Sequence, residues 1–239
     1  MPLTLILVIT GLILVIFSLV WIQPVWLISS LQESSPEVLY AVKTNEPVIA
    51  LTIDDGPDAF SSPLILDILK KYNAKATFFL ISEHIPGNED VINRMVSEGH
   101  ELGNHMTTDE PSIRLSISDF EQRMLEADDL LSQYSEIQWI RPGSGWYNED
   151  MLSVIKDHGY QCALGSIYPY DPQLGSAWLS SKYVLWKAAP GEIIVLHDYQ
   201  NRGMRTVRAL ENILPKLEQR GYRIVTLSEI STLGNGYSP

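Results

Sequence analysis

The stretch that decides the fold is VIALTIDDGP, Val48–Pro57. Six apolar or β-branched residues, Val48–Ile53, are followed at once by Asp54, Asp55 and a Gly-Pro pair. Such a run, bounded by turn residues, is typical of a strand buried in a parallel sheet. A turn explains the Gly-Pro pair but not both aspartates, because adjacent carboxylates near a core need a cation or a proton. The stretch therefore predicts a buried parallel strand with a charged site at its carboxyl end.

The alternation of strand and helix continues to the end of the chain. Further strand-like segments are KATFFLI, HELGNH, IQWIR, YQCALGSI, GEIIVLHD and YRIVTL, with helical patterns between most of them. This order predicts an α/β fold, in which a parallel sheet is covered by helices and is either closed into a barrel or open and doubly wound. In both architectures ligands bind at the carboxyl edge of the strands.

Local signals predict where three helices begin or break. Ser62 is the predicted N-cap of the first helix after the DDGP stretch, with Pro63 at its first position. Ser118 and Glu121 match a capping box at the start of a longer helix. Pro215 predicts a kink or an interruption in the last helix.

The N-terminal segment differs from the rest of the chain. Residues Leu3–Ile22 carry no charge, and a run of this length crosses a bilayer as a helix. A cleavable signal peptide has a shorter apolar region behind a basic start, and a buried core helix has a polar face. The sequence therefore predicts a transmembrane signal-anchor at 1–28, a tether at 29–45 and a catalytic domain at 46–239, with that domain extracytoplasmic, in the periplasm or cell envelope.

Composition excludes other classes of function. The 239 residues have a net charge of -12 and a pI of about 4.8, and the 17 Lys and Arg residues are scattered. This pattern predicts no nucleic-acid partner. The single cysteine, Cys162, lies in an apolar context that indicates a core position.

Chemically active residue types follow four of the predicted strands. Asp54 and Asp55 end the first, Arg141 and a glycine-rich turn follow IQWI, and His197 follows GEIIVL. His105 follows HELGN, with Asp109 four residues later. By itself the histidine–aspartate pair favours a polar turn. Beside two aspartates at a neighbouring strand end, it favours a catalytic metal site with an open position for water.

The motifs TIDDGP, GNHMTTD, RPGSG and VLHD, in this order, resemble those of the polysaccharide deacetylase family (carbohydrate esterase family 4, the NodB homology domain) over about residues 46–230. The resemblance implies a distorted (β/α)7 barrel. It also implies a metal-dependent hydrolase that removes N-acetyl groups from an N-acetylhexosamine-containing glycan and releases acetate.

The resemblance further implies residue roles. Asp54 would be the base that activates water, Arg141 would hold this base, and His197 would be the acid that protonates the leaving amine. The backbone N–H of Ser144 would help form the oxyanion hole, and Leu196 would line the acetyl pocket.

Asp55, His105 and Asp109 are the predicted metal ligands, and here the chain departs from the family. The family's metal motif usually ends in a second histidine, where this chain has Asp109, with Glu110 as a less suited substitute. A carboxylate remains a good ligand for zinc, the family's usual metal, but leaves manganese, iron or cobalt open. The family's aspartate–tryptophan motif is not recognisable, and Asp171 is the predicted carboxylate that tunes His197.

Two other functions remain open from the sequence. One is hydrolysis of another linear or cyclic amide, and the other is a catalytically inactive, membrane-tethered carbohydrate-binding protein. Trp146, Trp178 and Trp186 could be platforms for sugar rings, although core packing is the favoured interpretation.

Overall fold

The computed structural model describes residues 5, 9–12, 19 and 21–234. The chain divides into two compact units, Met1–Pro36 and Glu37–Pro239. The predicted membrane span at Leu3–Ile22 lies largely outside the described residues. Within the described ranges, no helix is both long and apolar enough to cross a bilayer. The first unit contains helix α1, Val25–Ser34.

The second unit alternates strands and helices along the chain. The strands are β1 (Val38–Leu39), β2 (Val48–Asp54), β3 (Thr77–Leu80), β4 (Glu101–Asn104), β5 (Trp139–Ile140), β6 (Gln161–Ala163), β7 (Ile193–His197) and β8 (Arg223–Val225). The helices are α2 (Ser61–Lys71), α3 (Glu89–Ser97), α4 (Ile117–Leu131), α5 (Glu149–Asp157), α6 (Asp171–Leu174), α7 (Ala177–Lys187), α8 (Gln200–Gln219) and α9 (Leu227–Thr232). Single 3-10 turns occur at Ser82–His84, Ser112–Arg114 and Gly143–Gly145.

All eight strands are parallel and form one sheet in the order β1-β6-β5-β4-β3-β2-β7, with β8 paired to the first half of β2. A bridge between Ile167 and Ile194 links the segment after β6 to β7. The sheet is thus a half-barrel of parallel strands, which confirms the predicted α/β class and is consistent with a distorted (β/α)7 barrel. Strand β1 comes from the segment predicted to be a tether.

The sheet separates two apolar clusters because side chains alternate along each strand. In β2, Ile49, Leu51 and Ile53 pack against the covering helices. Val48 and Ala50 pack into a smaller inner cluster within the curve of the sheet. The functional side chains extend from the inner face, at the carboxyl ends of the strands.

Two predictions of local structure are wrong, and the interruption predicted at Pro215 does not occur. Helix α2 begins at Ser61, one residue before the predicted cap, and Ser62 binds the buried Asp198 instead. Helix α4 is capped by Ser116, whose hydroxyl accepts from the backbone N–H of Asp119. Helix α8 runs without interruption from Gln200 to Gln219 and contains Pro215.

Candidate active site

The carboxyl ends of neighbouring strands bring the predicted site residues into one cleft. Asp54 at the end of β2 is the register partner of His197 at the end of β7, and the loops after β4 and β5 lie on the other side of β3. The cleft has a volume of about 790 Å³. Seven of the nine predicted site residues line it: Asp54, Asp55, His105, Asp109, Arg141, Ser144 and His197.

Asp54 is held by a buried arginine. One carboxylate oxygen of Asp54 accepts from Nη1 of Arg141 at 2.5 Å, and both residues are almost inaccessible to solvent. Arg141 also donates to the Thr52 hydroxyl at 2.9 Å and to the Ala163 carbonyl at 2.8 Å. Hydrogen bonds to three groups fix the guanidinium, which in turn holds the Asp54 carboxyl group in place.

The position of Arg141 depends on a glycine in β4. The guanidinium carbon of Arg141 lies 4.1 Å from the centre of the Phe79 ring, a cation–π contact. Phe79 is the register partner of Gly103, and a Cβ on Gly103 would lie 2.6 Å from the ring. Any larger residue at this position would push the ring away, so Gly103 creates the space that Phe79 and then Arg141 require.

Asp55 and His105 face each other without a hydrogen bond between them. His105 Nδ1 lies 2.7 Å from the carbonyl oxygen of Arg141, which orients the ring. Its Nε2 lies 3.6 Å from Oδ1 of Asp55. A buried carboxylate and a buried imidazole placed in this way, with the histidine oriented by a backbone carbonyl, are a donor set that suits a cation.

The third predicted ligand does not join this pair. Asp109 is half-exposed and accepts from Nη2 of Arg202 at 3.0 Å. The same guanidinium donates through Nη1 to Oδ2 of Asp55 at 2.5 Å. Among the described residues, no three His, Cys, Asp or Glu side chains form a cluster that could hold a metal. Asp55 and His105 therefore fit a divalent cation, whereas ligation by Asp109 stays a prediction.

His197 is paired with Asp171, the first residue of α6. Its Nδ1 lies 3.0 Å from Oδ1 of Asp171, and its backbone N–H donates to Oδ2 at 3.1 Å. Burial disfavours the charged ring and by itself lowers the pKa of His197. The charge of Asp171 and its hydrogen bond, together with Asp54 and Asp55, outweigh burial and raise this pKa to about 9. His197 is consequently a cation at neutral pH, with Nε2 as its second N–H donor.

Strained backbone occurs in the loops that form the cleft. Four non-glycine residues that follow strands have positive φ angles: Asp55 (75°), Met106 (70°), Ser144 (61°) and Tyr199 (74°). Asp55 keeps this conformation because its N–H donates to the Phe79 carbonyl and its own carbonyl accepts from His84. Residues held in such sparsely populated conformations cluster at functional sites. Ser144 itself is exposed on the glycine-rich turn after β5 and lines the cleft.

Leu196 does not line the cleft, so the prediction of its role is wrong. It is fully buried in the cluster between the sheet and the helices. Strand alternation explains the error, because His197 faces the cleft and only residues two apart share its face. Val195, two residues before His197, lines the cleft instead, together with Leu164.

The tryptophans are not core residues, contrary to the favoured interpretation. Trp146, Trp178 and Trp186 are 66%, 63% and 63% exposed. Of these three, only Trp146 lines the cleft.

Arg202 is the site residue that sequence reasoning missed. It follows the VLHD motif by four residues and lies in the first turn of α8. The sequence contains one signal for it: a basic residue that closely follows a strand whose end carries catalytic residue types. This signal is weak, because the positions of Asp55 and Asp109 in the folded chain are needed to interpret it.

The chain is similar to proteins of known family and structure. Residues 41–163 match the polysaccharide deacetylase family. A peptidoglycan-N-acetylglucosamine deacetylase of Bacillus cereus is 35% identical over 206 residues, which are 83% of this chain and 94% of that protein. The crystal structure of the Bc1960 peptidoglycan N-acetylglucosamine deacetylase superposes with a TM-score of 0.78 at 28% identity, over 85% of this chain and 95% of that one. A family 4 acetyl xylan esterase from Clostridium thermocellum, solved in complex with a cobalt ion, has a TM-score of 0.71 and 31% identity, over 78% of this chain and 91% of that one.

Proposed function

The chain belongs to the polysaccharide deacetylase family, and we propose that it hydrolyses the N-acetyl groups of an N-acetylhexosamine-containing glycan, with release of acetate. The observation that carries the proposal is the pairing of a buried Asp54–Arg141 couple with a protonated His197–Asp171 couple at adjacent strand ends. A base and an acid that line one cleft are what amide hydrolysis requires.

Asp55 and His105 would hold a divalent ion, which we propose to be zinc, with manganese, iron or cobalt as alternatives. Family relatives support a metal in general, since one of them was solved with cobalt. When bound, such an ion supplies Lewis-acid polarisation of the acetyl carbonyl.

The protein's own groups would carry out the proton transfers. Asp54, held in place by Arg141, would accept a proton from the attacking water, whose oxygen forms a bond to the carbonyl carbon. The backbone N–H of Ser144 would stabilise the oxyanion that develops. His197 then donates its Nε2 proton to the nitrogen as the C–N bond breaks, which gives acetate and a free amine. Asp171 holds the ring of His197 in place and keeps it charged.

We propose peptidoglycan or a chitin-like oligomer as the glycan, because the relative from Bacillus cereus is a peptidoglycan-N-acetylglucosamine deacetylase. The uncharged run Leu3–Ile22 supports a membrane anchor and an extracytoplasmic catalytic domain at the cell envelope.

Acetate release by the full chain tests the proposal. We expect release from peptidoglycan or chitooligosaccharides, loss of release in EDTA, and recovery when zinc, manganese, iron or cobalt is added back singly. Small linear and cyclic amides serve as the competing substrates. Acetate release from those amides alone would show that the substrate is another C–N compound and not a glycan.

A non-catalytic carbohydrate-binding protein is the second candidate, and the contact between Arg202 and Asp55 favours it, because a cation already occupies one oxygen of a predicted metal ligand. Glycan binding without acetate release in any added metal would support this candidate.

Replacing Trp146 with alanine is expected to weaken glycan binding and to leave the chemistry intact. Trp146 lines the cleft and is 66% exposed, so its indole is available to stack on a sugar ring. We expect KM for an oligosaccharide to rise about tenfold, with kcat within about twofold. Trp178→Ala, equally exposed but outside the cleft lining, is the control. An unchanged KM in Trp146→Ala would show that the Trp146 side chain does not contribute to glycan binding.

A further inference from the structure

The fold brings the guanidinium of Arg202 into the candidate metal site. Arg202 lies in the first turn of α8, where the next residue, Gly203, packs directly against Ser61 and Asp198. A Cβ on Gly203 would overlap the Ser61 hydroxyl and the Asp198 carboxylate. This close contact of backbone with the loop after β2 places the first turn of α8 beside Asp55.

The guanidinium joins two carboxylates that lie far apart in the sequence. It donates to the buried Asp55 at 2.5 Å through one nitrogen and to the half-exposed Asp109 at 3.0 Å through another. Both contacts come from the two terminal nitrogens of one planar guanidinium group, so Arg202 holds the two carboxylates in fixed relative positions. Asp109 is thereby the outer anchor of the guanidinium.

The charges explain why this contact exists. Asp55 is buried, and a buried carboxylate without a counter-charge is costly. His105 does not form a hydrogen bond with this carboxylate, because its Nε2 lies 3.6 Å from Oδ1 of Asp55. In the described part of the chain, Arg202 is the cation that contacts the Asp55 carboxylate.

We propose that Arg202 is a built-in counter-cation of the metal site, which competes with the divalent ion for Asp55 and is anchored by Asp109. A divalent ion at Asp55 and His105 and a guanidinium on the same carboxylate repel each other. Arg202 binds Oδ2 of Asp55, whereas the ion would bind between Oδ1 and His105, so metal binding has to overcome the charge of Arg202 and its affinity is lowered by this repulsion. The inference rests on the proposed function only in requiring that the site takes a divalent ion.

Removing the charge of Arg202 is expected to tighten metal binding. In calorimetric titrations of zinc into the chelator-treated full chain, we expect Arg202→Met to lower Kd by about tenfold or more, the effect of one contacting charge. Arg202→Lys, which keeps the positive charge beside Asp55 although it loses the bridging geometry, should stay within about threefold of the parent. Asp109→Asn should change Kd by less than about threefold, because Asp109 is half-exposed and binds the guanidinium.

Arg208→Met is the matched control, because Arg208 lies on the same helix, is exposed and loses the same charge. Thermal unfolding gives a second readout. Without metal, Arg202→Met should have a lower Tm than the parent, since Asp55 loses its partner, and zinc should remove this difference. If the methionine variant does not fold, Arg202→Gln tests the same loss of charge and keeps hydrogen-bond donors.

An effect of Arg202→Met on Kd no larger than that of Arg208→Met, or weaker binding, would overturn the inference. A tenfold loss of affinity in Asp109→Asn would also overturn it, because Asp109 would then be a ligand. These measurements need no substrate. If Arg202→Met binds zinc more tightly but the parent chain releases no acetate from any glycan, the proposed function is refuted and the inference stands.

Discussion

Replacing Asp54 with asparagine is expected to lower kcat for acetate release by about 10³-fold while the protein stays folded. The amide keeps the shape and the oxygen that accepts from Arg141, but it cannot take a proton from water. The loss should appear in kcat rather than in KM, because the base acts on water and not on the glycan. Single-turnover acetate release with saturating metal and oligosaccharide measures it.

Stability must be measured alongside turnover. Asp54→Asn leaves Arg141 buried without its counter-charge, which we expect to cost about 3 kcal/mol of unfolding free energy. Arg141 still donates to Thr52 and Ala163, so the strands that carry it should remain in place. Asp67→Asn, which removes one surface carboxylate paired with Arg94, is the control for charge alone. Turnover of a folded Asp54→Asn protein within tenfold of the parent would remove Asp54 from the role of base.

The sequence could predict that the site residues lie close together, because the carboxyl ends of parallel strands lie at the same edge of a sheet. Asp54 and His197 end strands β2 and β7, whereas His105 and Arg141 directly follow β4 and β5, and this relation survives errors of one or two residues in strand bounds. Which strands are neighbours could not be read from alternation alone. The register that pairs Asp54 with His197 became available only with the sheet order β3-β2-β7.

The helix cap before α4 was predicted wrongly because two serines near its start match the same capping pattern. Both Ser116 with Asp119 and Ser118 with Glu121 match the pattern of a capping box, and only the folded chain decides between them. The error at Leu196 was avoidable. Once His197 is assigned to the cleft, the two-residue period of a strand assigns Val195, rather than Leu196, to the same face.

The contacts of Asp171 and Arg202 could not be read from the pattern of strands and helices. Each lies in a loop or a first helical turn, and each acts through a partner more than twenty residues away. Asp171 could be proposed because the resembled family has an aspartate that tunes its acid histidine. Arg202 gave no such clue, since its role follows from its contact with the buried Asp55 in the folded chain.

Replacing Asp171 with asparagine is expected to move the alkaline limb of the pH profile of kcat/KM to lower pH. His197 acts as an acid only when it is protonated, so activity is present below its pKa and is lost as pH rises through it. In the parent the pKa is about 9, because the charge of Asp171, with Asp54 and Asp55, outweighs burial. Asparagine removes the nearest charge, burial then prevails, and the pKa of His197 falls.

The same variant should also lose turnover at a fixed alkaline pH, by about 10²-fold at pH 8, because fewer molecules carry the acidic proton and the ring is held less firmly. A role of Asp171 in structure alone would lower kcat/KM equally at all pH values and would leave the limb in place. His197→Ala is the second test variant. It should remove the alkaline limb of the pH profile as well as most of the turnover. NMR titration of His197 in the Asp171→Asn protein measures its pKa directly, and a value unchanged from the parent would show that Asp171 does not maintain the charge of the acid.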